Sequence, residues 1–235
     1  MDIQQLIKFD QNLLLSLNGS DSLFVDGFMW VATSTYIWIP IALVLLYVIF
    51  KNNKIQESIL IIVMLALVIA LADQIASGFC KPFFARFRPT RDPELMYMID
   101  IVNGYRGGSF GFISSHAANT FGVTLFLSLL IRNKLLTGVL VLWASLNAFS
   151  RIYLGVHYPG DILFGTIVGI SVGTIIYYLY YYIKKRFFDN PKYISNQYTT
   201  SGYLISDIYM LNNTMFLTII SIIILGMIIA NYHNF

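Results

Sequence analysis

Charge is scarce in this chain. Of its 235 residues, 12 are acidic and 15 basic, 11% together, too few to solvate the surface of an ordinary soluble domain of this length. The net charge of +3 is too small to call for a nucleic-acid partner, and no stretch resembles a basic recognition element. A single cysteine, Cys80, excludes an intramolecular disulfide. The start of the chain lacks the basic opening and apolar core of a cleaved signal peptide: Asp2, Lys8 and Asp10 are spread through it, and Leu6, Ile7, Phe9, Leu13, Leu14 and Leu17 recur at roughly helical spacing. That pattern reads as an amphipathic helix in the membrane interface.

What the chain has instead is apolar length. It is 57% hydrophobic with a mean hydropathy of +0.69, and crossing a hydrocarbon core takes about 20 mostly apolar helical residues. The runs at that length or near it are Phe28–Phe50, Ser58–Phe79, Phe112–Ile131, Leu135–Phe149, Ile162–Ile183 and Met215–Tyr232. The expected fold class is therefore all-α: a polytopic transmembrane bundle of about six spans plus the N-terminal interfacial helix. No internal repeat is visible, and Asn190–Asn213 reads as a polar connector, so residues 1–235 form one domain, with a core over about 1–183 and an extra span over about 215–232.

Threading six spans leaves Lys51–Glu57, Arg132–Lys134 and Lys184–Lys192 on one membrane face. Eight of the Lys and Arg residues fall there against seven on the other, while eight acidic residues fall on the second face against three on the first. The short basic loops resemble cytoplasmic stops, which puts the second face outside.

Three segments on that outer face carry unusual residues. In KPFFARFRP, Lys81 and Arg88 stand seven positions apart. Pro89 pushes Arg88 toward extended geometry, out of the helix and inward. Arginine offers a planar fork for two phosphate oxygens and lysine a compact charge; the plainer reading is anchoring at a helix end, which suits Arg86 and Arg91. In GFISSHAANT, Ser114, Ser115 and His116 stand where a helix starts. A serine there is a natural N-cap, and the same helix end suits an anion. His116, read alone, fits a structural role as well as that of a proton donor to a departing oxygen. In SRIYLGVHYPGD, Asp161 follows His157 across a Pro159-Gly160 turn. Asp161 suits an N-cap, or it accepts a hydrogen bond from one nitrogen of His157 and leaves the other basic, as in a catalytic triad. Arg151 suits phosphate oxygens. Asp73, inside the second span, reads as a structural partner for Asn119 or Asn147, and Trp30, Trp38 and Tyr177–Tyr182 as interfacial belt.

Together these segments resemble the type 2 phosphatidic acid phosphatase superfamily, which includes vanadium-dependent haloperoxidases and bacterial lipid phosphatases. The family signature is K-x6-RP, then PSGH, then SR-x5-H-x3-D. Lys81, Arg88 and Pro89 match the first part, and Ser150, Arg151, His157 and Asp161 the third. In the second, Ile113 and Ser115 replace proline and glycine, while Ser114 and His116 are kept. The resemblance runs from about Met1 to Ile183.

The resemblance implies roles for these residues. His157 attacks phosphorus and forms a phosphohistidine, Asp161 orients it, and His116 protonates the leaving oxygen and later activates water. Lys81, Arg88, Ser114, Ser115 and Arg151 hold the phosphate. It further implies no metal and no cofactor, a lipid phosphate or diphosphate as substrate (undecaprenyl diphosphate, phosphatidic acid, phosphatidylglycerophosphate or a lipid A phosphate), and a bacterial cytoplasmic membrane with the site facing the periplasm. The competing function is a lipid-phosphate binder or transporter, which would use the cations but has no need of a His157–Asp161 pair. Haloperoxidase chemistry is disfavoured in a site that opens toward lipid.

Overall fold

The computed structural model describes residues 2–188 and 196–232. Asp189 and Lys192, counted above in the charge balance, lie outside them. Helices dominate, and among the described residues strand pairing is limited to two isolated bridges, Phe87 with Phe110 and Tyr198 with Leu204. Five helical segments are long and apolar enough to cross a membrane: Thr35–Asn52, Ile55–Phe84, Lys134–Tyr153, Pro159–Phe187 and Ile205–Tyr232. Leu23–Thr33 and Ser115–Ile131 are shorter apolar helices. The chain is a multi-pass helical membrane protein.

The first helix, α1 (Ile3–Leu17), leaves Ile3, Leu6, Ile7 and Phe9 exposed and buries Leu14, as an interfacial helix docked on a bundle does. The expected first span is not one helix. It divides into α2 (Leu23–Thr33), a 3-10 turn (Thr35–Trp38) and α3 (Ile39–Asn52). Pro40 explains the break, because it lacks an N–H and its ring collides with the carbonyl one turn back, so an α-helix cannot run through it unperturbed. The Trp38 indole closes the gap by donating to the Ala32 carbonyl at 2.9 Å. Trp38 is thus core rather than belt, as are Tyr177 and Tyr180.

The second span, α4 (Ile55–Asp73), continues through a π-helical turn (Gln74–Cys80) into α5 (Lys81–Phe84). It is followed by α6 (Ser115–Ile131), α7 (Lys134–Tyr153) and α8 (Pro159–Phe187). The tightest pairing is α6 against α8. Gly165, Gly169 and Gly173 form a strip of small residues on α8, and a Cβ on Gly169 would lie 2.2 Å from the Ala118 carbonyl oxygen. Membrane helices gain most from this close backbone approach, since lipid offers no hydrophobic drive to pair.

The last helix, α9 (Ile205–Tyr232), begins ten residues before the expected span at Met215. The charge that made its first turns look like a connector is partnered: Asp207 accepts from Lys51 Nζ at 2.7 Å and Asn52 Nδ2 at 2.8 Å, and the Leu204 N–H donates to Asn52 Oδ1. Higher up, α9 meets α2 where Gly27 and Gly226 face each other, a Cβ on Gly27 reaching 2.6 Å from the Gly226 carbonyl oxygen.

Candidate active site

All three motif segments meet at one end of the bundle. After α5, Ala85 takes a left-handed conformation (φ 45°) and Arg88 an extended one, so the chain leaves the helix and the Arg88 side chain is buried. Backbone bonds hold this turn to the approach to α6: Arg88 N–H to the Ser109 carbonyl at 3.0 Å and Gly111 N–H to the Arg86 carbonyl at 2.9 Å. The start of α6 is tied to the start of α8 by Ser114 N–H donating to the Asp161 carbonyl at 3.1 Å. Two segments far apart in sequence are thus fixed in register by main-chain contacts alone.

Ser114 is the N-cap of α6, accepting from Ala117 N–H at 3.4 Å. This leaves its own hydroxyl proton to donate elsewhere. Lys81 Nζ donates to Ser115 Oγ at 3.3 Å and to Ser77 Oγ at 2.9 Å. Ser77 in turn donates to Asp73 Oδ1 at 3.1 Å. Asp73 therefore does not pair with Asn119 or Asn147; Asn147 donates to the Trp143 carbonyl, and the Asn119 side-chain oxygen has no partner. The turns of one helix bring residues 73, 77 and 81 to the same side, and π-helical segments recur at functional sites.

His157 is 1% exposed and Asp161 0%. Nδ1 of His157 lies 3.2 Å from Asp161 Oδ2, and Nε2 lies 3.2 Å from Arg88 Nη1. A guanidinium only donates, so Nε2 carries the lone pair and Nδ1 the proton, which it gives to Asp161. Burial holds the His157 ring well below the ordinary histidine range, and Arg88, Arg151 and Lys81 push the same way. The ring is neutral near pH 7, with its free nitrogen amid cations. Asp161 is not the N-cap of α8, a place Tyr158 takes; it stands two residues inside the helix, where its Oδ2 also accepts the Tyr158 N–H at 3.1 Å.

Arg151 is buried on α7. Its Nη1 donates to Thr33 Oγ1 at 2.6 Å and its Nη2 to the Tyr105 hydroxyl at 3.1 Å, while Nε has no partner. Thr33 reaches it because the first span breaks directly after that residue. The His116 ring has no hydrogen-bond partner among the described residues, and the fields of Arg151, Arg88 and Lys81 all reach it. Three cations, a hydroxyl cap and the start of a helix thus surround one neutral histidine, an arrangement whose chemistry suits a phosphoryl group and added negative charge on it. Among the described residues, no three His, Cys, Asp or Glu side chains converge as a metal site requires.

Arg86 departs from its sequence reading. Rather than anchoring at the membrane edge, it donates from Nη1 to Asp161 Oδ1 at 3.1 Å and from Nη2 to Asp10 Oδ2 at 2.8 Å, with its guanidinium 3.8 Å from the centre of the Tyr158 ring. Asp10, Thr33 and Tyr105 were likewise not singled out. Each is an ordinary polar residue on an apolar helix or in a loop, and only tertiary contact marks it.

The family model described as the PAP2 superfamily matches residues 57–185. The chain is 41% identical over 186 residues to a protein of Bacteroides thetaiotaomicron named lipid A 4'-phosphatase, covering 78% of this chain and 82% of that one. It is 36% identical over 184 residues to a Porphyromonas gingivalis protein of the same name, covering 78% of each. The crystal structure of Aquifex aeolicus LpxE superposes with a TM-score of 0.53 at 26% identity, covering 71% of this chain and 93% of that one. A family match over more than half of the sequence, with relatives of this identity and coverage, means that the chain belongs to the PAP2 superfamily.

Proposed function

We propose that this membrane lipid phosphatase removes the 4'-phosphate of lipid A at the periplasmic face of the bacterial cytoplasmic membrane, by a metal-independent route through a phosphohistidine on His157. The observation that carries the chemistry is the His157 ring, with one nitrogen on Asp161 and the other facing Arg88. Simple capture of a phosphate needs the cations but not this pair. The choice of lipid A is supported by the two relatives that bear that name, and the orientation by the small basic loops at the opposite end.

An arriving phosphate draws Arg88 from Nε2 to its own oxygens, with Lys81, Arg151, the Ser114 hydroxyl and the Ser115 backbone taking the rest. His157 Nε2 attacks phosphorus as the bond to the leaving oxygen breaks, and His116, which takes up a proton when the arriving phosphate's negative charge offsets the surrounding cations, gives that proton to the oxygen. His116 then takes a proton from water, whose oxygen attacks phosphorus, and the N–P electron pair returns to Nε2. The substrate's tails remain in the bilayer throughout, so no soluble pocket is required.

The test is phosphate release in detergent with EDTA from lipid A, undecaprenyl diphosphate and phosphatidylglycerophosphate, comparing native protein with His157→Ala. The expected result is His157-dependent release, greatest from lipid A and from its 4' position by mass spectrometry. Release from another lipid overturns the substrate, and release that EDTA abolishes overturns the metal-independent route.

A further inference from the structure

Asp161 presents two oxygens to its surroundings. Oδ2 is occupied by His157 Nδ1 and the Tyr158 N–H, whereas the side chain meeting Oδ1 is Arg86. Held at one oxygen alone, a carboxylate can turn about its last torsion, and the hydrogen bond that sets the His157 tautomer turns with it. Arg86 is itself fixed from two sides. Its plane lies over the Tyr158 ring, whose hydroxyl donates to Asp92 Oδ2 at 2.7 Å, and its second nitrogen is taken by Asp10.

Asp10 does more than pair with Arg86. Its Oδ1 accepts the Gly160 N–H at 2.8 Å, inside the turn that separates His157 from Asp161. A Cβ on Gly160 would lie 2.8 Å from Asp10 Oδ2, so the approach depends on a glycine there. The helix that brings Asp10 in is seated by Leu14, fully buried in a cluster with Leu95, Ile99, Ile152 and Tyr158. An exposed ion pair contributes little to stability, but this half-buried one ends on the carboxylate that orients the nucleophile.

We propose that Asp10 and Arg86 are positioning residues for phosphoryl transfer: Asp10 of α1 holds Arg86, Arg86 holds Asp161, and the interfacial helix thereby completes the active site. The inference rests on the reading of His157 as nucleophile. It assigns no contact between either residue and the substrate, so its signature is a loss in kcat rather than in KM.

The experiment uses the full chain in detergent, with the best substrate of the panel above, and compares Asp10→Asn, Arg86→Gln, Arg86→Lys and the Asp10→Asn/Arg86→Gln double variant. Asparagine keeps an acceptor for Gly160, so Asp10→Asn retains the turn even where Arg86→Gln destabilises the protein. A misplacement of about 1 Å at a reacting group costs up to about 100-fold; we expect kcat to fall about tenfold in Asp10→Asn and about 100-fold in Arg86→Gln, with KM within about twofold. Arg86→Lys should recover part of the loss, and the double variant should be no slower than Arg86→Gln, because the two residues act in series. Native kcat in both single variants, multiplicative losses in the double, a loss carried by KM, or a lowered melting temperature with full kcat in the folded fraction each overturn the inference. A native protein without His157-dependent turnover overturns the underlying reading, and this inference with it.

Discussion

Oδ2 of Asp161 lies 3.2 Å from Nδ1 of His157, one helical turn earlier in sequence but across a Pro-Gly turn, and both side chains are excluded from water. A buried carboxylate beside a neutral imidazole fixes which nitrogen bears the proton and stands ready for the positive charge that appears when the other nitrogen bonds to phosphorus.

Asp161→Asn keeps the size of the side chain and removes the charge. Its amide can face Nδ1–H with oxygen only by turning its NH2 toward Arg86, so the ring loses its tautomer or the guanidinium its acceptor. The expected cost in kcat is about 10³- to 10⁴-fold, with KM little changed, read from phosphate release under single-substrate kinetics.

Acid should destabilise the protein through His157. Its pKa in the folded state lies below the ordinary value of 6.5, so as pH falls the unfolded chain takes up the proton first. The contribution is fully present above 6.5 and is lost as pH falls from there toward the folded value. Melting curves in detergent should therefore fall more between about pH 7.5 and 5.5 for native protein than for His157→Gln. Equal slopes would show that His157 is not held neutral.

The Asp73–Ser77–Lys81 ladder positions a cation. Ser77→Ala removes one acceptor from Lys81 and strands Asp73, and a net hydrogen bond is worth about 1 kcal/mol, so a loss of about fivefold in kcat/KM is expected. Asp73→Asn should cost at least as much, because the charge it removes reaches Lys81 directly as well as through Ser77. Kinetics of both variants and their combination would check the order.

At the α6–α8 contact, Gly169→Val places a side chain against the Ala118 carbonyl. Separating helices that carry Ser114 and Asp161 should destabilise the protein by about 2–3 kcal/mol and lower activity in the folded fraction. Gly138, whose Cβ would meet nothing within 4 Å, supplies the control: Gly138→Ala should leave both unchanged.

Much of this site was legible because its signature residues sit in short segments whose spacing survives without knowledge of the fold. Lys81, Arg88, Ser114, His116, Arg151, His157 and Asp161 fall at helix ends that hydropathy locates. The residues that went unread act at a distance. Arg86 meets Asp161 across 75 positions and Asp10 across 76, and neither pairing leaves a periodic trace. The start of α9 escapes the sequence for a similar reason: Asp207 reads as a loop residue until Lys51 neutralises it and Asn52 donates to it from about 155 positions earlier. Hydropathy also passes smoothly over Ser34, so the break in the first span is visible only through Pro40.

In the proposed reaction His157 carries the phosphoryl group. The most direct test is rapid quenching of native protein with lipid A, followed by mass spectrometry of the peptide around His157. Native protein should carry an acid-labile, base-stable phosphate on His157 that appears before free phosphate and is lost in His157→Ala together with turnover. Turnover with no phosphate on His157 at any quench time, or a labelled intermediate that survives in His157→Ala, would contradict it.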